Sequence, residues 1–387
     1  MQDRLAGPRM FPLIDAHGTA RERGRIHGAS AKQRVALSVA TYARLFAFCG
    51  IDWRDAQRRG ADFRAAIDAL GGGLLEEIEG IAEGSGRQVD EIMALNARTE
   101  ILPPTYPGEP HPRWRELDAA NRAGGVPDWG ECTAIAVPRS ASATGGTLLA
   151  QNWDWLGAQR GALVVLRVRQ PDAPACITLT EAGMLAKIGL NEHGFGLCLN
   201  ILRSSTDGER TATPVHPLLR ALLACRNVDE AIGMARALSF GASSNALCAD
   251  TTGDAANLEF SPSGLQVVRG EGGALCHTNH FLSAAGESDL GVPATSLSSI
   301  PRLTRARALV ENRGRIGVEE LKRILRDESE GLLSICRHPD PSLPAEARIE
   351  SVASVVMELA TRRMHVAPDV PSLVDYETVA LTETVPV

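Results

Sequence analysis

Six β-type runs, 133–137, 147–155, 162–169, 175–180, 185–190 and 195–201, follow one another with little chain between them. The intervening Gly145-Gly146, Pro171-Asp172 and Asn191-Glu192-His193-Gly194 are hairpin-type turns. A parallel crossover needs about a dozen residues or more, usually a helix, so these connections are too short for one. The spacing predicts antiparallel pairing. After a helix over about 217–238, runs at 245–249, 256–260 and 265–269 resume the pattern. Two helices, near 301–312 and 318–326, precede a last pair at 351–359 and 363–366. Many antiparallel strands with helices inserted in blocks predict an α+β architecture of two face-packed sheets covered by helical layers.

The first hundred residues have a different texture. Thr19 and Glu22 have capping-box spacing, and Ile26, Val35, Leu37, Val39, Leu45 and Phe48 continue an apolar stripe, predicting a helix over about 20–48. Amphipathic stretches at 62–83 and 89–101 are punctuated by Gly71-Gly72-Gly73 and Gly84-Ser85-Gly86. Residues 103–130 then carry six prolines with glycines and charges, a composition that predicts an exposed connector. The chain thus divides into a mostly helical segment, 1–131, and a sheet-rich segment, 132–387.

Several classes are disfavoured. The formal charge is −7 and aromatics are 4%, so nucleic acid is not an expected partner. The longest apolar run, Leu45 to Ile51, is far below the roughly 18 residues of a membrane span, and no membrane partner is expected. The first residues lack the pattern of a secretory signal, and the expected location is cytoplasmic. Eight dispersed cysteines without a CxxC argue against a disulfide framework or zinc ribbon. Only three lysines, Lys32, Lys187 and Lys322, leave few candidates for Schiff-base chemistry.

Candidate chemistry lies in Cys132, Asn152-Trp153-Asp154-Trp155, Cys276-His277-Thr278-Asn279-His280 and Arg348. Each also has an ordinary structural reading. Cys132 opens the first β-run directly after the connector, where an inert buried thiol is the default. The two-residue strand period puts Asn152 and Asp154 on one face and both tryptophans on the other. An Asp inside a strand must be paired or solvated. His277 and His280 invite a metal, yet their spacing turns them to opposite faces and no second ligand pair follows, so neither metal nor cofactor is expected. Asn279 offers an amide N–H suited to an oxyanion. Arg348 precedes a β-run, and Ser261 precedes a proline in a turn.

In order along the chain stand Gly130-Glu131-Cys132-Thr133, Gln151-Asn152-Trp153-Asp154-Trp155, Thr180-Glu181-Ala182-Gly183 and Gly189-Leu190-Asn191-Glu192-His193-Gly194. They are followed by Leu258-Glu259-Phe260-Ser261-Pro262, His277-Thr278-Asn279-His280 and Ser334-Ile335-Cys336-Arg337. The series, from Cys132 to Met364, resembles the acyl-coenzyme A:6-aminopenicillanic acid acyltransferase (isopenicillin N acyltransferase) family of N-terminal nucleophile hydrolases. Residues 19–28 are more weakly similar. The resemblance implies a four-layer αββα fold and a precursor that cuts itself between Glu131 and Cys132. The fragments, of 131 and 387 − 131 = 256 residues, are then expected to remain associated as a heterodimer, with higher oligomers left open. By the same resemblance Cys132 is the nucleophile and its α-amino group the base. Asn279 supplies an oxyanion donor, Asp154 and Arg348 position and tune the Cys132 terminus, and Asn152, Ser261, His277 and His280 give support. Glycine precedes the nucleophile in fungal members where Glu131 stands here.

The function so implied is an acyl transfer from a small-molecule amide or thioester through a Cys132 thioester to water or an amine. Two alternatives remain at this level: a Cys/His protease with His277 or His280 as base and no self-cleavage, or a noncatalytic binding scaffold on the same fold.

Overall fold

The computed structural model describes residues 10–104, 132–270, 272–283, 298–311, 314–343 and 345–382. The helical segment begins with strand β1 (Leu13–His17) and helices α1 (Ala20–Ser30) and α2 (Lys32–Phe48). It continues through α3 (Trp53–Ala61), α4 (Arg64–Asp68), α5 (Leu74–Ser85), α6 (Val89–Asn96) and α7 (Arg98–Ile101). The Thr19/Glu22 capping box forms as expected. The single helix expected over 20–48 is instead two, parted at Ala31. α1 leaves the line of α2 because it packs backbone to backbone on α5. A Cβ on Gly24 would lie 2.1 Å from the Glu77 carbonyl, and one on Gly84 would lie 2.2 Å from the Arg25 carbonyl. Gly24 and Gly28 thus interleave with Gly80 and Gly84, an approach that only glycine permits. The break expected at Gly71, Gly72 and Gly73 forms between α4 and α5, with φ of 72°, 65° and 70°.

The second segment builds two sheets. β4 (Leu163–Gln170), β5 (Ala173–Glu181), β6 (Ile188–Asn191), β7 (Gly196–Ile201), β8 (Ser244–Ala249), β9 (Ala255–Ser261) and β10 (Gly264–Arg269) follow β1 in order in an eight-stranded sheet. The other sheet is six-stranded, in the order β11 (Leu275–His277), β2 (Cys132–Val137), β3 (Leu148–Leu156), β12 (Ile349–Glu358), β13 (Arg363–Ala367), β14 (Glu377–Ala380). All the pairings are antiparallel except β1 with β4, where the N-terminal segment adds a parallel edge strand.

Helices α8 (Val215–Leu222) and α9 (Val228–Arg236) replace the one helix expected over 217–238 and, with α1, cover the eight-stranded sheet. α10 (Ser299–Glu311) and α11 (Val318–Leu325) cover the six-stranded one. The result is a four-layer αββα sandwich. Alternation along β2 and β3 explains its two cores. Ala134, Ala136, Leu149 and Trp153 enter the inner core, whereas Ile135, Val137, Leu148 and Ala150 meet Leu303, Ala306 and Ile324 of the outer helices. No single helix among the described residues is long and apolar enough to cross a membrane. Except for its first two residues, the expected 103–130 connector lies outside the described residues, as does Glu131.

Candidate active site

Cys132 is the first residue of β2 and is paired across to Trp153 of β3. Both side chains face the interior between the sheets, and the thiol is buried. Three elements grip the backbone of Cys132. Its N–H donates to Asn279 Oδ1 at 2.8 Å. Its carbonyl accepts from Asn200 Nδ2 of β7 at 3.1 Å and from Arg302 Nη1 of α10 at 2.7 Å. Arg302 also donates to Asn279 Oδ1 at 2.9 Å and to Thr133 Oγ1 at 3.1 Å, so one guanidinium ties Cys132 to its neighbours. Asn279 Nδ2 is held by the Ile201 carbonyl at 2.9 Å.

Asp154 lies on the other face of β3, on the face expected from the strand period. Ser351 Oγ donates to Asp154 Oδ1 at 2.6 Å, while Oδ2 is buried without a hydrogen-bond partner among the described residues. Burial pushes the Asp154 carboxyl up to about 7, against the pull of Arg302 and Ser351. Arg302 is itself brought down to about 10 by burial, with Asp154 and Cys132 opposing. Burial and the nearby Asp154 charge raise the Cys132 thiol, while Lys187 and hydrogen bonds from the Asp154 backbone and the Gln151 side chain favour the thiolate. A thiol so raised gains from a base placed on its own residue.

The inner face beside Cys132 is lined by charge. Lys187 Nζ sits 3.9 Å from the Trp153 ring centroid and 3.3 Å from Glu181 Oε2. Arg98 lies 4.6 Å over the Trp155 ring and 3.6 Å from the same carboxylate oxygen. Tyr42 of α2 donates to Glu181 Oε1 and accepts from Trp155 Nε1 at 3.0 Å, so the helical segment closes this wall. Burial lowers Lys187 to about 7, with Arg98 adding to the effect and Glu181 opposing it. Burial alone would raise Glu181, but Lys187 and Arg98 outweigh it and the carboxyl is lowered.

Several expectations need correction. Arg348 is not at the site. Its guanidinium donates to the carbonyls of Leu343 at 2.7 Å and Pro341 at 3.1 Å, bracing the loop before β12. The arginine at Cys132 is Arg302, whose place depends on the docking of α10 and which no local pattern singles out. Asn279 presents its oxygen to Cys132 N and an amide N–H to the Ile201 carbonyl, contacts that position Cys132. Asn152 Nδ2 bonds the Leu325 and Ile335 carbonyls at 2.8 and 2.9 Å, which anchors α11 and the following loop. Ser261 Oγ accepts from Ser263 N at 3.2 Å and closes the β9–β10 turn.

His277 and His280 are both engaged with partners other than Cys132. His277 is fully buried, with Nε2 2.8 Å from Glu259 Oε1 and Nδ1 2.8 Å from the Thr278 carbonyl. His280 Nδ1 contacts Ser299 Oγ at 2.7 Å, and burial lowers it to about 4. Cys276 turns outward into the α10 layer, so these three residues do not converge as metal ligands.

The family model described as acyl-coenzyme A:6-aminopenicillanic acid acyl-transferase matches residues 142–372. The acyl-coenzyme A:6-aminopenicillanic-acid-acyltransferase 40 kDa form of Emericella nidulans is 29% identical over 336 residues, which span 84% of each chain. Among solved structures, a mutant of conjugated bile acid hydrolase from Clostridium perfringens aligns with a TM-score of 0.46 and 13% identity, over 64% of this chain and 92% of that one. Penicillin V acylase from Agrobacterium tumefaciens aligns with a TM-score of 0.35 and 12% identity, over 61% and 82%. Since the model spans more than half of the sequence, the chain belongs to the acyl-coenzyme A:6-aminopenicillanic acid acyl-transferase family.

Proposed function

We propose that this protein is a self-processing cysteine amidohydrolase or acyltransferase in which Cys132, freed as a new amino terminus, is both nucleophile and base carrier. The observation that carries this reading is the grip on Cys132 at the head of β2. A residue whose N and O are fixed by Asn279, Asn200 and Arg302 keeps its place when the preceding peptide bond is lost. In maturation the Cys132 sulfur attacks the Glu131 carbonyl carbon, and the acyl group moves from nitrogen to sulfur. Water then hydrolyses the thioester, leaving a carboxylate on Glu131 and a free thiol and amine on Cys132.

In turnover the α-amine, with an ordinary pKa of about 7.7 to 8, accepts the thiol proton. The thiolate adds to the substrate carbonyl, the amine or thiol leaving group takes the proton, and the acyl group remains on Cys132 as a thioester. Water or an acceptor amine releases it. Hydrolysis and transfer share this intermediate, and the substrate class is a small acyl amide or acyl thioester.

The test is to trap the intermediate. After brief exposure to a panel of acyl amides and acyl thioesters, the fragment beginning at Cys132 should gain the mass of the acyl group, on that residue alone. Cys132→Ser should slow turnover by orders of magnitude. Undiminished acyl release by Cys132→Ala would remove the nucleophile from the scheme.

A further inference from the structure

Beyond the sandwich core, one cluster of reactive side chains has no part in this chemistry. The loop after α11 brings Cys336 and His338 back beside Glu328. Glu328 Oε1 lies 2.7 Å from His338 Nε2 and 3.9 Å from Cys336 Sγ. Ser372, from the chain following β13, places its hydroxyl 3.5 Å from the same sulfur and 3.2 Å from the same imidazole nitrogen. The three ligand atoms of Glu328, Cys336 and His338 all fall within 4.8 Å of one another.

We propose that Cys336 Sγ, His338 Nε2 and a Glu328 carboxylate oxygen form a binding site for a divalent cation of the zinc class, with the Ser372 hydroxyl or water at the fourth position. Zinc takes Cys, His and carboxylate ligands at about 2.0 to 2.3 Å in a tetrahedron, which sets the donor atoms about 3.3 to 3.8 Å apart. The two distances from Glu328 Oε1, 2.7 Å to the imidazole and 3.9 Å to the sulfur, bracket that range, and all three donor atoms lie within 4.8 Å of one another, so small side-chain shifts would admit an ion. The donor chemistry selects the metal. Thiolate with imidazole suits zinc or cobalt, whereas magnesium and calcium demand oxygen.

Access and anchorage agree with this assignment. The side chains of Glu328 and His338 are 47% and 43% exposed, so an ion can enter from solvent, while Cys336 is buried at the floor. The floor is held by backbone bonds. Cys336 N donates to the Asp327 carbonyl at 2.9 Å, and the Ile335 carbonyl accepts from Asn152 at 2.9 Å. Binding replaces the Cys336 S–H bond with a sulfur–metal bond and releases the proton to solvent. Thiolate and carboxylate then balance the charge of the dication. The ion would clamp the 327–338 loop to Ser372. Arg337 of that loop exchanges hydrogen bonds with Ser351, the partner of Asp154, so the clamp would stiffen a support of the active site from behind.

The test uses the full chain, stripped with a chelator and titrated with cobalt(II) alone. One equivalent should produce a thiolate-to-cobalt charge-transfer band, which zinc then displaces. The band should vanish in Cys336→Ser. Cobalt affinity should fall at least tenfold in His338→Ala and in Glu328→Gln, whose exposed positions make misfolding no obstacle. Zinc should raise the thermal midpoint of the wild type and leave that of Cys336→Ser unmoved. Absence of the band in the wild type, or its survival in Cys336→Ser, would overturn the site and leave a hydrogen-bonded surface cluster.

Discussion

Arg302 reaches Cys132 from 170 residues further along the chain, which explains why a sequence reading could single out Cys132 and miss the arginine that clamps it. Cys132, Asp154 and Asn279 sit in short linear patterns. Arg302, Asn200 and Lys187 become neighbours of Cys132 only when helix and sheets dock, and nothing local to them announces it. The distinction can be measured. Arg302→Met should lower kcat/KM by about 10²-fold through displacement of Cys132, the proposed nucleophile, while Arg348→Met, which loosens only the 341–343 loop, should stay within about twofold of wild type. Asp154 gives a test in pH. Its folded-state carboxyl is raised to about 7 from an ordinary 3.8, so the fold favours the neutral form. That contribution to stability is complete below the ordinary value and is lost as pH rises through 7. Asp154→Asn, which never ionises, should therefore be more stable than wild type at pH 8 by on the order of 4 kcal/mol, with no such advantage at pH 4. Denaturant unfolding at the two pH values checks the sign.

At the scale of elements, the strands with strong β-type runs between 133 and 201 were readable because alternation and turn chemistry are local. The edges were not. β11 has three residues, and β1 owes its identity to a parallel partner some 150 residues away, Leu13 against Val165. Helix breaks at Ala31 and between α8 and α9 were also missed, since each is imposed by what the next helix must cover. The α1–α5 contact makes the point quantitative. Gly24→Ala would force a methyl to within 2.1 Å of the Glu77 carbonyl oxygen and should cost about 1 to 3 kcal/mol. Gly233→Ala in α9, where a Cβ meets nothing within 4 Å, should instead stabilise by about 0.5 to 1 kcal/mol. Thermal unfolding of both variants separates close approach from helix propensity.

For the whole molecule, the helical and sheet-rich segments share one core. Tyr42 and Arg98 meet Trp155 and Glu181 inside the protein, so the fragments produced by cleavage before Cys132 should co-elute on gel filtration and part only in denaturant. That cleavage is the claim on which the proposed chemistry rests, because it would give the buried Cys132 thiol a base on its own residue, whereas His277 and His280 face other partners. Intact-mass spectrometry of the purified protein tests it most directly. Wild type should resolve into fragments of 131 and 256 residues, the larger beginning at Cys132, and Cys132→Ala should remain a single 387-residue chain. A catalytically active wild type that stays whole, or a Cys132→Ala variant cut at the same bond, would contradict the account.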